Sequence, residues 1–298
     1  MGSKALPGAK GTRQGVRGVP RPTGGTAGRP DGATSPASMP GDATGARRAL
    51  LVLDFDGTLW RGNEPLESYA AAASRGLVPA EREPYLAAVR AFLGGARWRV
   101  VGAAAPPEDG WSAVAGFALA RGVPQEQLRD AFLQVREDMA AGAFHMEVPA
   151  GLADFLAWSR RWCRVVVATN SPASSVEPVL ARLGLAGLLD DVAAGASKPG
   201  SLVGLVEGWA ERYGASRERV MSIGDHYRND IEPAARAGWS TAYITPWRWV
   251  AGPCSLVGTR VEEVLPGLRE WVETVAAGPN GSWWPETLSR ESLTASRT

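Results

Sequence analysis

A chain of 298 residues with 45% hydrophobic and 21% charged side chains has the apolar material for one or two folded domains. Its net charge of +1 is unevenly spread: residues 1–48 hold eight Lys/Arg against two Asp, which leaves a body of net −5 and gives no reason to expect a nucleic-acid partner. Two cysteines, Cys163 and Cys254, and two histidines, His145 and His226, exclude a disulfide framework and a structural zinc site and leave little room for a His-based metal cluster or a Ser-His triad. The cysteine usage suits a reducing cytosol, so a cytoplasmic location is expected. No apolar run is long enough to span a bilayer, so no membrane partner is expected. Arg47-Arg48 precedes an apolar stretch, but that stretch meets Asp54 after only five residues, too short for a signal core.

Residues 1–46 are rich in Gly, Pro, Ala, Thr and Arg. Such a segment buries too little surface to offset its ordering entropy, and it reads as a disordered basic tail. Met39, inside it, is an alternative start. Ala49 to Leu53 is too short for a stable helix and suits a strand buried on both faces. It runs into Asp54-Phe-Asp-Gly-Thr58. Alternate strand residues share a face, so Asp54 and Asp56 point one way while Phe55 turns back into apolar packing. Two acids at the end of a buried strand are costly unless a cation or a reaction uses them.

Leu59 to Pro65 reads as a turn-rich loop. From about 66 to 146 the pattern is helical, with helices expected at Tyr69–Arg75, Glu83–Leu93, Trp111–Arg121 and Pro124–Ala141. Gly94-Gly95 and Pro106-Pro107 interrupt them. The last carries a stripe of Leu128, Phe132, Val135 and Met139. From Val148 helix and strand alternate. Strands are expected at Cys163–Ala168, ending in Thr169-Asn170-Ser171, at Leu188–Ala194, at Arg219–Ile223, ending in Gly224-Asp225, and finally at Ser240–Ile244. Helices fall between them, one opened by Lys198-Pro199 and one over Asp230–Gly238. Alternating βα units imply a parallel sheet covered on both faces, with ligands at the carboxyl ends of its strands. Asp54, Thr169, Lys198 and Asp225 each fall at such an end. Residues 277–298 read as a second disordered tail. Trp247-Arg248-Trp249 reads as packing rather than recognition, and His226 as a loop residue rather than a ligand.

Asp54-x-Asp56-Gly-Thr after a hydrophobic strand, then Thr169, Lys198-Pro199 and Gly224-Asp225-x-x-x-x-Asp230, resembles the haloacid dehalogenase (HAD) superfamily over roughly residues 48–246. Gly200-Ser201 stands where the third motif commonly has Asp-Pro. The resemblance implies an α/β, Rossmann-like parallel sheet core (47–62 and 147–276) with an inserted helical cap of the C1 type (63–146). It implies a phosphatase that passes through an aspartyl-phosphate, with Asp54 as nucleophile and Asp56 as proton donor and later base. Thr169, Asn170 and Lys198 would bind the phosphoryl group. Mg²⁺ would be held by Asp54, Asp225 and the backbone carbonyl of Asp56, with Asp230 orienting Lys198 or a metal-bound water. Trp60 and Arg61 either touch substrate or pack under the cap. The expected partner is a small phosphorylated substrate. Alternatives are a phosphomutase of the β-phosphoglucomutase type and an inactive binding protein with this fold. Dehalogenation fits less well, because those relatives lack the second acid that Asp56 provides.

Overall fold

A computed structural model describes residues 49–96, 107–247 and 251–276. The readings of both tails, Met39, Pro106, Arg248 and Trp249 lie outside these residues. Six parallel strands form one sheet: β1 (Ala49–Leu53), β2 (Cys163–Ala168), β3 (Asp191–Ala193), β4 (Val220–Gly224), β5 (Ser240–Ile244) and β6 (Leu256–Gly258). Their order is β3-β2-β1-β4-β5-β6, with Leu51 of β1 level with Val165 on one side and Met221 on the other. The chain steps outward from β1 to one edge and then returns to β1's other side, so the crevice beyond β1 and β4 is the switch point of the sheet. This is the Rossmann-like parallel sheet expected from the sequence.

The pleat divides the core. Ala49, Leu51, Leu53 and Phe55 face one apolar cluster, and Leu50 and Val52 face another. All five β1 residues are buried. Each Leu or Val so placed contributes roughly 1.5–3 kcal/mol. Helices α5 (Leu152–Ser159), α6 (Ala173–Arg182) and α9 (Val261–Ala276) cover the first face, and α7 (Leu202–Tyr213) and α8 (Glu232–Arg236) the second.

Between β1 and β2 lie α1 (Glu64–Ala73), α2 (Pro79–Leu93), α3 (Gly110–Leu119) and α4 (Gln125–Ala141). Their buried residues join the apolar cluster on the first face of the sheet. Helix α4 packs on α6, and Arg182 donates to the Met139 and Ala140 carbonyls at the end of α4, at 2.9 and 2.5 Å. Trp247, after β5, stacks on Phe92 of α2 at 4.4 Å and donates its indole N–H to the Phe92 carbonyl. Where the chain leaves and rejoins the sheet region, Arg61 and Glu147 exchange two backbone hydrogen bonds of 2.9 and 3.0 Å.

Several boundaries differ from expectation. Helix α1 starts at Glu64 rather than Tyr69, because Pro65 falls in its first turn, where the missing N–H costs nothing. Helix α2 starts at Pro79 rather than Glu83 and carries Pro84 in its interior. Lys198-Pro199 does not open a helix; it lies in a turn with a cis peptide bond, and α7 begins at Leu202. The expected helix over Asp230–Gly238 is a π-helical turn, Tyr227–Ile231, followed by the short α8. That wide turn lets the Asp230 carbonyl accept from Ser222 Oγ while its carboxylate accepts from Lys198. Ser240–Ile244 is not the final strand, since β6 and α9 follow it. Among the described residues, no helix is long and apolar enough to cross a membrane.

Candidate active site

The end of β1 delivers Asp54 to the switch point, its backbone N–H held by the Ile223 carbonyl of β4 at 2.8 Å. Lys198 arrives from the turn after β3. Its ammonium donates to Asp54 Oδ1 at 2.8 Å and to Asp230 Oδ1 at 2.5 Å. Asn170, one residue past Thr169 at the end of β2, fixes that turn from both directions. It accepts from the Lys198 N–H at 2.7 Å and donates to the Lys198 carbonyl at 3.1 Å. Thr169 is buried, and its hydroxyl accepts the Ser171 N–H. Asp225 follows β4. Carboxylate oxygens of Asp54, Asp225 and Asp230 all lie within 4.8 Å of one another.

Two glycines make this crowding feasible. A Cβ on Gly57 would stand 2.0 Å from Asp225 Oδ2, and one on Gly224 would stand 2.4 Å from Asp230 Oδ2. Gly57 also holds φ at +73°, which a side chain rarely adopts.

So many buried acids shift one another. Burial, with the charges of Asp230 and Asp56, pushes the Asp54 carboxyl up to about 7 despite Lys198. Burial and the charges of Asp109, Asp54, Asp230 and Asp56 hold the Asp225 carboxyl well above the usual range. Burial alone would depress the Lys198 ammonium, but the charges of Asp230 and Asp54 and the hydrogen bonds to both raise it instead. Lys198 is therefore a permanent cation. With three carboxylates clustered around the single Lys198 cation, the oxygen-rich Asp54–Asp225 pair fits a hard divalent ion.

Asp56 takes a position the sequence did not foresee. Arg136 of α4 grips both its carboxylate oxygens at 2.8 Å, and Ser171 Oγ donates to Oδ2 at 2.5 Å. Asp56, Arg136, Trp111, Phe132, Thr169 and Lys198 are among the walls of a cavity of ≈ 130 Å³ that Asp54 also lines. Trp60 and Arg61 are not brought to it. Trp60 is buried against Phe55, and Arg61 turns outward to Glu147 and Glu262. His226 lines the cavity and pairs with Glu108, which also takes the Arg228 guanidinium and N–H.

Sequence reasoning missed Arg136, Ser171, Glu108 and Asp109. Arg136 left a signal: it lies one turn after Phe132, a cation set into the apolar stripe of α4. Ser171 adjoins the Thr169-Asn170 pair. Glu108 and Asp109 carried no pattern, because their partners come from β4's loop and from α3's own first turn.

A doubly wound parallel sheet with a lysine shared by two carboxylates at its switch point defines a Rossmann-like α/β protein. The family model for haloacid dehalogenase-like hydrolases matches residues 49–238, more than half of the chain, and the protein belongs to that family. Solved structures at TM-scores of 0.50 and above share the fold. A predicted phosphoglycolate phosphatase from Haemophilus somnus is 15% identical, with a TM-score of 0.52 over 74% of this chain and 98% of that one. A haloacid dehalogenase-like family protein from Streptococcus pneumoniae is 16% identical, with a TM-score of 0.50 over 74% and 98%. L-2-haloacid dehalogenase from Xanthobacter autotrophicus is 17% identical, with a TM-score of 0.46 over 74% and 98%. Among curated proteins, none matches.

Proposed function

We propose that this hydrolase is a Mg²⁺-dependent phosphatase of a small phosphorylated metabolite, working in the cytosol through an aspartyl-phosphate. The observation that carries the reading is Lys198 bridging Asp54 and Asp230 in a cavity that Asp56 and Thr169 share. Phosphate monoesters hydrolyse so slowly that rate enhancements up to ~10²¹ are needed. Such a site must therefore position a nucleophile, neutralise phosphoryl charge and supply a proton.

An Asp54 carboxylate oxygen attacks phosphorus in line, and the P–O bond to the substrate alcohol breaks. Asp56 gives its proton to the departing oxygen. Asp56 then takes a proton from water, whose oxygen attacks the same phosphorus, and Asp54 and inorganic phosphate are released. Lys198 and the Thr169 hydroxyl hold phosphoryl oxygens, and Asn170 holds Lys198 in place. Ser171 and Arg136 fix the Asp56 side chain between steps. Asp54, Asp225 and the Asp56 carbonyl would hold Mg²⁺, which supplies charge neutralisation to the phosphoryl oxygens when bound. The helices between β1 and β2 serve as a cap that excludes water.

The test is phosphate release from a panel of compact monoesters with and without Mg²⁺, beside Asp54→Asn. Wild-type release that needs Mg²⁺ and vanishes in the variant supports the reading. Metal-independent turnover, or an active Asp54→Asn, sinks it.

A further inference from the structure

Arg136 is a second cation in the cavity, set beside Asp56 rather than beside Asp54. Its α4 neighbours Leu128, Ala131, Val135 and Met139 are buried in the apolar core, and its own side chain is only 3% exposed. The guanidinium lies over the Trp111 ring at 4.1 Å and near the Phe132 ring at 4.8 Å. Its two terminal nitrogens reach Asp56 in parallel, each at 2.8 Å. Its Nε has no hydrogen-bond partner among the described residues.

Burying a guanidinium this deeply is costly for a merely structural contact. A planar fork stacked on aromatic rings is the arrangement that suits two-point recognition of a carboxylate. Lys198 and Arg136 are the lysine and arginine of the cavity wall, and they divide it. Lys198 spends two of its three ammonium N–H donors on Asp54 and Asp230, on the phosphoryl side. Arg136 stands on the helical side, in contact with the residue that must reach the departing oxygen. Whatever substituent the alcohol carries next to that oxygen therefore meets Arg136. At ≈ 130 Å³ the cavity falls well short of the roughly 300–1,000 Å³ of sites for larger ligands. The substituent must be small.

Resting on the phosphatase reading, we infer that the substrate is a compact phosphate monoester whose alcohol part bears a carboxylate within one or two carbons of the ester oxygen, and that Arg136 is the specificity-determining residue that binds it. The fork now engaged by Asp56 is shared with the substrate carboxylate when the site fills.

The test uses matched esters in the Mg²⁺-supplied enzyme: 2-phosphoglycolate against 2-hydroxyethyl phosphate, and 3-phosphoglycerate against glycerol 3-phosphate. Wild type is expected to favour the carboxylate ester in kcat/KM by about 10- to 100-fold, mainly through KM, the range of a charge-assisted hydrogen-bonded pair. Arg136→Lys keeps charge without the fork and retains part of the preference. Arg136→Gln brings the ratio to about one. A second arm needs no turnover: malonate, a dicarboxylate without phosphorus, raises the Tm of wild type and not of Arg136→Gln. Equal efficiency within each pair, or a preference that survives in Arg136→Gln, overturns the inference. Should Arg136→Gln not fold, the wild-type ratio and Arg136→Lys decide. Malonate protection without hydrolysis of any ester defeats the phosphatase reading and leaves carboxylate recognition by Arg136 standing. Absence of protection and of preference together defeats the inference.

Discussion

Gly57→Ala separates what the backbone requires from what the site requires. Gly57 has φ +73°, and the added Cβ would stand 2.0 Å from Asp225 Oδ2. Gly184 has a nearly equal φ of +71° with nothing within 4 Å of its Cβ position, so Gly184→Ala carries the backbone cost alone. A left-handed alanine costs roughly 1–2 kcal/mol, or about 2–8 °C of Tm for a domain of this size. Both variants should lose about that much in thermal or urea unfolding. They should part in function. In Gly57→Ala the clash falls on the end of a side chain, which moves aside at modest energetic cost, but the displaced carboxylate is one that would hold Mg²⁺. Activity should drop by at least about 100-fold, the scale of a 1 Å misplacement, and the Mg²⁺ concentration for half-maximal activity should rise. Gly184→Ala should keep wild-type Mg²⁺ activation. If Gly57→Ala also keeps it, the packing of Asp225 against position 57 has no bearing on metal binding.

Lys198→Met leaves Asp54 and Asp230 buried together without their shared cation; it should abolish turnover and cost roughly 3–5 kcal/mol in denaturant unfolding, and a wild-type midpoint would contradict the argument. The Asp54 carboxyl, raised from 3.8 to about 7, binds its proton more tightly folded than unfolded. Its contribution is complete below the ordinary carboxylate range and is lost as pH rises toward 7. Asp225 shifts in the same direction, and Lys198, protonated in both states there, adds no slope. Metal-free protein in chelator should therefore lose stability from about pH 4 to 7, and Mg²⁺ should stabilise it more at pH 8 than at pH 5; a flat profile with chelator would refute this. Burial pushes the Cys163 thiol up to about 12, so native protein at pH 8 should resist iodoacetamide at Cys163, which should be labelled after unfolding, as read by peptide mass spectrometry.

The sheet was legible where one physical demand dominates a stretch of chain. Ala49–Leu53 is buried on both sides and reads as an unbroken apolar run, so β1 and the acids after it could be placed from sequence. Edge strands give weaker signals. In β6 the central Val257 is half exposed, and three residues make no pattern. Helix α9 had the apolar stripe of Val261, Val264, Leu268 and Trp271, but Pro266 sits inside it and hides the period. The same masking moved the start of α2. The clustering of Asp54, Lys198 and Asp225 was readable because each stands at or just after a strand end on the same side of the sheet. Site residues were not readable when the need arises across space. The sequence left Trp60 and Arg61 open between substrate and packing; Trp60 is buried against Phe55, and the exposed Arg61 pairs with Glu147 and Glu262. The grip of Arg136 on Asp56 depends on α4 lying over β1, which adjacency in the chain does not encode.

The paired backbone of Arg61 and Glu147 closes the helical excursion at its root. The chain leaves the sheet region and returns to it through this one hydrogen-bonded rung. The spacing of β1 and β2 is set by their own ladder, from Ala49 level with Cys163 to Leu53 level with Val167, and not by the length of chain beyond that rung. The junction is a natural suture at which one catalytic floor can be fitted with different roofs.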